Sequence, residues 1–231
     1  MNSSKTILLF DIDGTLLISG GAGNRALNRA FQEKYGIKKV MESIRPDGKT
    51  DPAIVREVFR EKLHREPEAA EIEELKDIYL RYLVTEVETS PSYRLLPGIL
   101  PLLEHGRRIS GLFLGLLTGN WEEGASIKLT RSNLKQFFPF GGFGSDAEDR
   151  GEIAKLAVDR GREYAGECVP PERIFVIGDT PHDIRCARTA GVRVIAVATG
   201  STPLGDLACC EPDYLMPNLL NQEQFWALIS K

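Results

Sequence analysis

Ile7-Leu8-Leu9-Phe10, followed at once by Asp11-Ile12-Asp13-Gly14-Thr15, is the stretch on which the reading of this 231-residue chain turns. A short apolar run that ends in polar residues suits a strand buried on both faces of a parallel sheet. Two carboxylates, two residues apart at such a strand's carboxyl end, are costly unless a cation or a substrate uses their charge. One aspartate there can attack phosphorus, and a second acid can protonate a leaving oxygen and later activate water. Gly14 permits the tight turn that follows. A calcium loop does not fit: it wants acidic or amide residues at positions one, three and five and Gly at six, where this chain has Thr15 and Leu16. Taken alone, the pentapeptide also admits a plainer reading, a polar loop with two chance acids.

Working outward, comparable apolar runs recur at Leu112–Leu117, Ile174–Ile177 and Val192–Ala198. Helical periods lie between them over 121–132, 152–164 and 183–190, with Gly191 just past the last. Strands alternating with helices predict an open α/β sheet whose ligand site lies beyond the carboxyl ends of the strands. About a hundred residues separate the first run from the second, far more than one crossover helix requires. Leu27, Ala30, Phe31 and Tyr35 share one prospective helix face; Val55, Val58, Phe59 and Leu63 share a second. Ile72, Leu75, Tyr79, Tyr82 and Val87 form a third. The spacing therefore predicts a core of residues 1–16 and 94–231 and an inserted helical unit of residues 17–93. Gly20, Gly21 and Gly23 mark turns or hinges at its entry, and Pro91 and Pro97 mark them at its exit.

Composition narrows the function. Apolar residues are 42% and charged residues 27%, an ordinary globular balance. With 29 Lys plus Arg against 33 Asp plus Glu, the net charge is −4, which excludes the basic excess of a dedicated nucleic-acid binder. Residues 61–90 hold nine acids and four bases and read as a solvated helix face. No apolar run approaches the length of a membrane span or of a secretory signal. Cys168, Cys186, Cys209 and Cys210 form no metal-binding pattern, so reduced thiols in a cytoplasmic protein are expected.

Three later segments bear on the Asp11–Thr15 loop. Thr118-Gly119-Asn120 follows the second apolar run and offers a hydroxyl, a flexible backbone N–H and an amide, neutral donors for phosphate oxygens; a lone tripeptide of this kind is more often just a turn. Gly178-Asp179-Thr180-Pro181-His182-Asp183 follows the third run and brings two more acids to a strand end, although Asp183 could serve as a helix cap. A cation is still needed to offset charge on phosphorus, and Arg150 and Lys155 are the candidates, each of which could also be a surface helix charge.

On these residues the chain resembles the haloacid dehalogenase superfamily of phosphotransferases over residues 5–16 and roughly 94–200. Asp11–Thr15 matches its DxDGT motif, Thr118 its strand-end Thr or Ser, and Gly178–Asp183 its GDxxxD motif, in the family's order. The resemblance implies a Rossmann-like parallel-sheet core with a mobile helical cap, similar to phosphoglycolate phosphatases and β-phosphoglucomutases. It implies that Asp11 is nucleophile and Mg²⁺ ligand, and that Asp13 is general acid/base with its backbone carbonyl on the metal. Thr118 and the N–H of Gly119 would bind the phosphoryl group beside Asn120, and Asp179 and Asp183 would complete the metal site. The family's Lys-Pro is missing between Asn120 and Gly178; Arg150, ahead of a helix starting near Glu152, fits its place best, with Lys155 the alternative.

The activity expected is hydrolysis of a small phosphate monoester through an aspartyl-phosphate, with phosphoglycolate the first candidate and no nucleic-acid or membrane partner. Asp13 argues against a dehalogenase and against a phosphonoacetaldehyde hydrolase, although Lys49 lies in the inserted unit. Gly48-Lys49-Thr50 lacks the earlier glycine of a nucleotide P-loop, since Ser43 stands there. It is read as a substrate contact or, equally, as a turn before a helix. His182 is expected at the rim of the site. A sugar phosphomutase sharing all the motifs, and a non-catalytic binding module of the same fold, remain as alternatives. Oligomeric state is not legible.

Overall fold

β1 (Thr6–Phe10) is fully buried and lies at the middle of a six-stranded parallel sheet. The computed structural model describes residues 5–230; Met1–Ser4 and Lys231, which belong to the predicted core ranges, lie outside the described residues. β1 pairs with β4 (Leu112–Leu117) on one side and β6 (Ile174–Gly178) on the other. β7 (Arg193–Val197) and β8 (Tyr214–Met216) extend the sheet beyond β6, and β5 (Gly141–Gly142) extends it beyond β4, giving the order β5-β4-β1-β6-β7-β8.

Side chains of a strand alternate between faces, and both faces of this sheet are covered. Leu8 and Phe10, with Leu114, Leu116, Phe175 and Ile177, pack toward α4 (Ile99–Gly106), α5 (Glu122–Thr130) and α9 (Gln222–Ile229). Ile7 and Leu9, with Val176, Val194 and Ala196, pack toward α6 (Arg150–Ala165) and α7 (Pro181–Thr189). That two-sided burial is why the strands read as unbroken apolar runs rather than as alternating patterns. Helix α8 (Leu204–Cys209) precedes β8.

A short antiparallel ribbon, β2 (Leu17–Ile18) against β3 (Arg94–Leu95), closes the base of the long excursion between β1 and β4. Within it lie α1 (Ala22–Tyr35), α2 (Asp51–Val58) continuing into a π-helical turn over Phe59–Leu63, and α3 (Ala69–Thr89). Leu27, Ala30, Phe31, Val55, Val58, Phe59, Ile72, Leu75, Tyr79 and Val87 form a third hydrophobic cluster, separate from the two that flank the sheet. Tyr82 is only partly buried and donates its hydroxyl to Glu33. The acids of α3 are solvated or paired, to α1 in Arg25–Glu86 and to the preceding bend in Arg65–Glu71.

Three details depart from the expectations. Gly23 lies inside α1 rather than in the hinge, whereas Gly20 and Gly21 both have positive φ, a region that favours glycine. Helix α6 begins at Arg150, not near Glu152, because Asp149 caps it by accepting the N–H groups of Gly151 and Glu152. The edge strands β5 and β8 give no strand signal in the sequence; β5 is two glycines. All four cysteines are free thiols, and no helix among the described residues is long and apolar enough to cross a membrane.

Candidate active site

Register carries three loops to one place. Phe10 pairs with both Leu116 and Ile177, so Asp11, Thr118 and Asp179 all lie just past neighbouring strand ends. Asp183 reaches the same point from the first turn of α7, where it forms a reciprocal capping box with Thr180. Asp11, Asp179 and Asp183 are buried, and each offers a carboxylate oxygen within 4.8 Å of the others. Thr15 donates to Asp179 at 2.9 Å, which ties the first loop to the third. The approach is close enough that a side chain at Gly14 or Gly200 would run into the Asp179 carboxylate.

Three buried carboxylates in contact repel. Burial, then the charge of Asp183, pushes Asp11 up to about 7, with Arg150 opposing. Burial, then Asp183 and Asp11, pushes Asp179 up to about 9. Such a set, all hard oxygen donors with excess negative charge, fits a hard divalent cation, which would remove both causes at once.

Two cations flank the cluster. Arg150, the first residue of α6, is buried, forms an ion pair with Asp183, and has its Nη2 4.0 Å from Asp11 Oδ1. Its Nη1 donates to the Gly48 carbonyl at 3.4 Å, while its buried Nε has no partner. On the other side Lys128 Nζ lies 2.6 Å from Asp13 Oδ2 and 2.6 Å from Asn120 Oδ1. Burial raises Asp13, but the charge and hydrogen bond of Lys128, joined by bonds from Asn120 and Ser19, outweigh it and hold the carboxyl below its ordinary range.

These groups surround a cavity of about 440 Å³ lined by Asp11, Asp13, Thr118, Gly119, Asn120, Arg150 and Asp179 from the sheet side. Gly48, Lys49, Asp51 and Tyr79 line it from the helical insertion. Lys49 is paired with Glu57. Thr50 is not in this cavity: it caps α2, accepting the Ala53 N–H and donating to the Glu148 carbonyl at 3.2 Å. Lys155 is also apart, half-exposed on α6 and paired with Glu152 at 2.8 Å, so of the two predicted cations only Arg150 is brought to the cluster. His182 borders an adjoining cavity of about 340 Å³ and packs against Gly48.

Three lining residues escaped the sequence reading. Lys128 sits ten residues beyond Thr118 on a helix and looks like any surface lysine, with no local signal that it turns back to the strand-end loop. Asp51 reads as an ordinary first-turn acid, yet it is buried, its carboxylate takes the Trp121 N–H at 2.9 Å, and burial pushes it up to about 6. Tyr79 reads as core and is core, 1% exposed, but it also lines the cavity.

The sequence model of the haloacid dehalogenase-like hydrolases matches residues 8–197. The phosphoglycolate phosphatase of Pseudomonas syringae pv. tomato is 26% identical over 196 residues, covering 84% of this chain and 70% of that protein. The phosphoglycolate phosphatase of Aquifex aeolicus is 27% identical over 205 residues, covering 86% and 87%. Among solved structures, CbbY from Rhodobacter sphaeroides in complex with phosphate superposes with a TM-score of 0.71 at 21% identity, over 94% of this chain and 96% of that one. That likeness concerns the fold.

Proposed function

Because the chain belongs to the haloacid dehalogenase-like hydrolases, we propose that it is a Mg²⁺-dependent phosphatase that hydrolyses a small phosphate monoester through an aspartyl-phosphate. The observation that carries this reading is the meeting of Asp11, Asp179 and Asp183 within 4.8 Å, beside Arg150, at the edge of a cavity that Asp11, Asp179 and Arg150 line.

In the proposed reaction an Asp11 oxygen bonds to phosphorus while the ester P–O bond breaks, its electron pair leaving with the alcohol oxygen. Asp13, entering the step protonated and made a stronger acid by the Lys128 charge, gives that oxygen its proton. Asp13 then takes a proton from water as the water oxygen bonds to phosphorus and the Asp11–phosphorus link breaks, which returns Asp11 to a carboxylate. Thr118 and the N–H of Gly119 hold phosphoryl oxygens, braced by Asn120, whose amide N–H groups go to Asp13 and Thr118, and Arg150 adds a fixed positive charge beside Asp11, effective because both side chains are buried. Asp11, Asp179, Asp183 and the backbone carbonyl of Asp13 would hold the ion, whose charge offsets repulsion between carboxylates and the anionic ester.

The helical unit, residues 17–93, is proposed as a cap that turns on the β2–β3 ribbon and screens the reaction from bulk water. Gly48 and Lys49, which line the cavity, are its proposed substrate contacts; Thr50 acts by capping α2 at the end of their loop. Phosphoglycolate is the first substrate to test, since both curated relatives carry that activity in their names. Phosphate release from phosphoglycolate, with and without Mg²⁺, is the direct assay. Metal-dependent release by the native enzyme and none by Asp11→Asn supports the reading. Equal release by both, or none from any phosphate ester, contradicts it.

A further inference from the structure

Lys128 is a buried cation that takes no bond-making part in the proposed chemistry. It is 5% exposed, on core helix α5 rather than on the inserted helices. Its ammonium touches Asp13 Oδ2 and Asn120 Oδ1, each at 2.6 Å. Asn120 closes the figure: its Nδ2 donates to the same Asp13 Oδ2 at 3.0 Å and to Thr118 Oγ1 at 2.8 Å. Ser19 donates to the other Asp13 oxygen at 3.2 Å. Asp13, Lys128 and Asn120 thus form a triangle in which each side chain binds the other two.

A lysine gives up its strong hydration and its rotamer freedom to lie in such a place, and it does so only where its charge is matched. Here the match is chiefly Asp13, whose side chain is 39% exposed toward the cavity and would otherwise swing between rotamers. The remaining contacts to Asp13, from Asn120 and Ser19, are longer and neutral. Charge-assisted bonds at short distance are the ones that fix orientation.

We infer that Lys128 is a positioning residue for Asp13: with Asn120 it clamps one carboxylate oxygen so that the carboxyl faces the ester oxygen. The site then has two cations with separate tasks, Arg150 beside Asp11 and Asp183, and Lys128 behind Asp13. The inference rests on the acid/base role proposed for Asp13.

The test is a double-mutant cycle on kcat and KM with p-nitrophenyl phosphate and Mg²⁺, using Lys128→Met, Asp13→Asn and the double variant. Lys128→Gln serves as a second, more polar replacement, and melting temperatures report on folding. A displaced acid/base costs about a hundredfold in kcat. That loss is expected for Lys128→Met in the native background, with KM little changed, and it shrinks to a few-fold at most when Asp13 is already Asn. Equal losses in both backgrounds, or a rise in KM with kcat intact, would mean that Lys128 only stabilises the fold or binds phosphate, and would overturn the inference. Impaired Asp13→Asn beside fully active Lys128→Met and Lys128→Gln overturns the inference alone. Full activity in Asp13→Asn removes the role proposed for Asp13 and the inference with it.

Discussion

The carboxylate of Asp51 accepts the backbone N–H of Trp121 at 2.9 Å, and the Asp51 N–H donates to the Gly119 carbonyl at 2.8 Å. The first turn of α2 is thereby bound at two points to the loop that carries Thr118, so the inserted helices and the core share one stretch of backbone at the site. Asp51→Ala leaves the Trp121 N–H buried without a partner, a loss of about 1–3 kcal/mol. A lower melting temperature and a raised KM for the phosphate ester are expected; unchanged values in both would show that the two contacts are incidental.

The acidic cluster sets a pH dependence in the metal-free protein. Asp11 titrates near 7 and Asp179 near 9, against an ordinary 3.8, because burial and neighbouring carboxylates disfavour their charge. Between the unfolded and folded values the native state holds more protons than the unfolded one, so stability falls as pH rises. Ordinary carboxylates are already ionised above pH 6, which leaves the cluster dominant over pH 6–9. In EDTA the melting temperature is expected to fall across that range. Added Mg²⁺ should raise it by an amount that grows with pH, since the ion needs the carboxylates deprotonated. A metal-free melting temperature that is flat or rising over pH 6–9 would contradict the electrostatic reading.

Arg150 and Lys155 lie five residues apart on one helix and should respond differently. Arg150→Ala leaves Asp183 and Asp11 buried without their counter-charge, a loss of about 3–5 kcal/mol, with activity abolished. Lys155→Ala removes a half-exposed charge paired only with Glu152, and stability should stay within about 0.5 kcal/mol with native turnover. Thermal melts and phosphate release on both variants decide the point; loss of activity in Lys155→Ala would reverse the assignment.

Gly200 has no room for a side chain, because a β-carbon there would collide with the Asp179 carboxylate. Gly200→Ala should displace Asp179 and weaken metal binding by about 10–100-fold, read by Mg²⁺ titration of activity. An unchanged Mg²⁺ requirement would show that Asp179 does not hold the ion.

How much of this was legible follows from where the information lies. The strands β1, β4, β6 and β7 are continuous apolar runs because both faces are covered, and a run ending in Asp or Thr marks a strand end directly. Three of the helical stripes survive as a common cluster because the 3.6-residue period records burial whatever the partner. By contrast, β5 exists only because Gly141 and Gly142 can lie flat against Leu116 and Leu117, a tertiary fact with no local pattern. Lys128 and Asp51 were invisible for a similar reason: a lone charge on a helix reads as solvated until packing shows that it is buried. Arg150 and Lys155 could not be told apart in the sequence because the five-residue step from one to the other turns one side chain inward and the other out, and that depends on how Asp149 starts the helix.

The central claim is that Asp11 accepts the phosphoryl group, and acid-quenched single turnover tests it most directly. With substrate and Mg²⁺ mixed rapidly and quenched in acid, peptide mass spectrometry should find a phosphoryl group on the peptide containing Asp11, formed before free phosphate appears and missing in Asp11→Asn. Phosphate released at the native rate by Asp11→Asn, with no acyl-phosphate on the native chain at any time, would contradict the account.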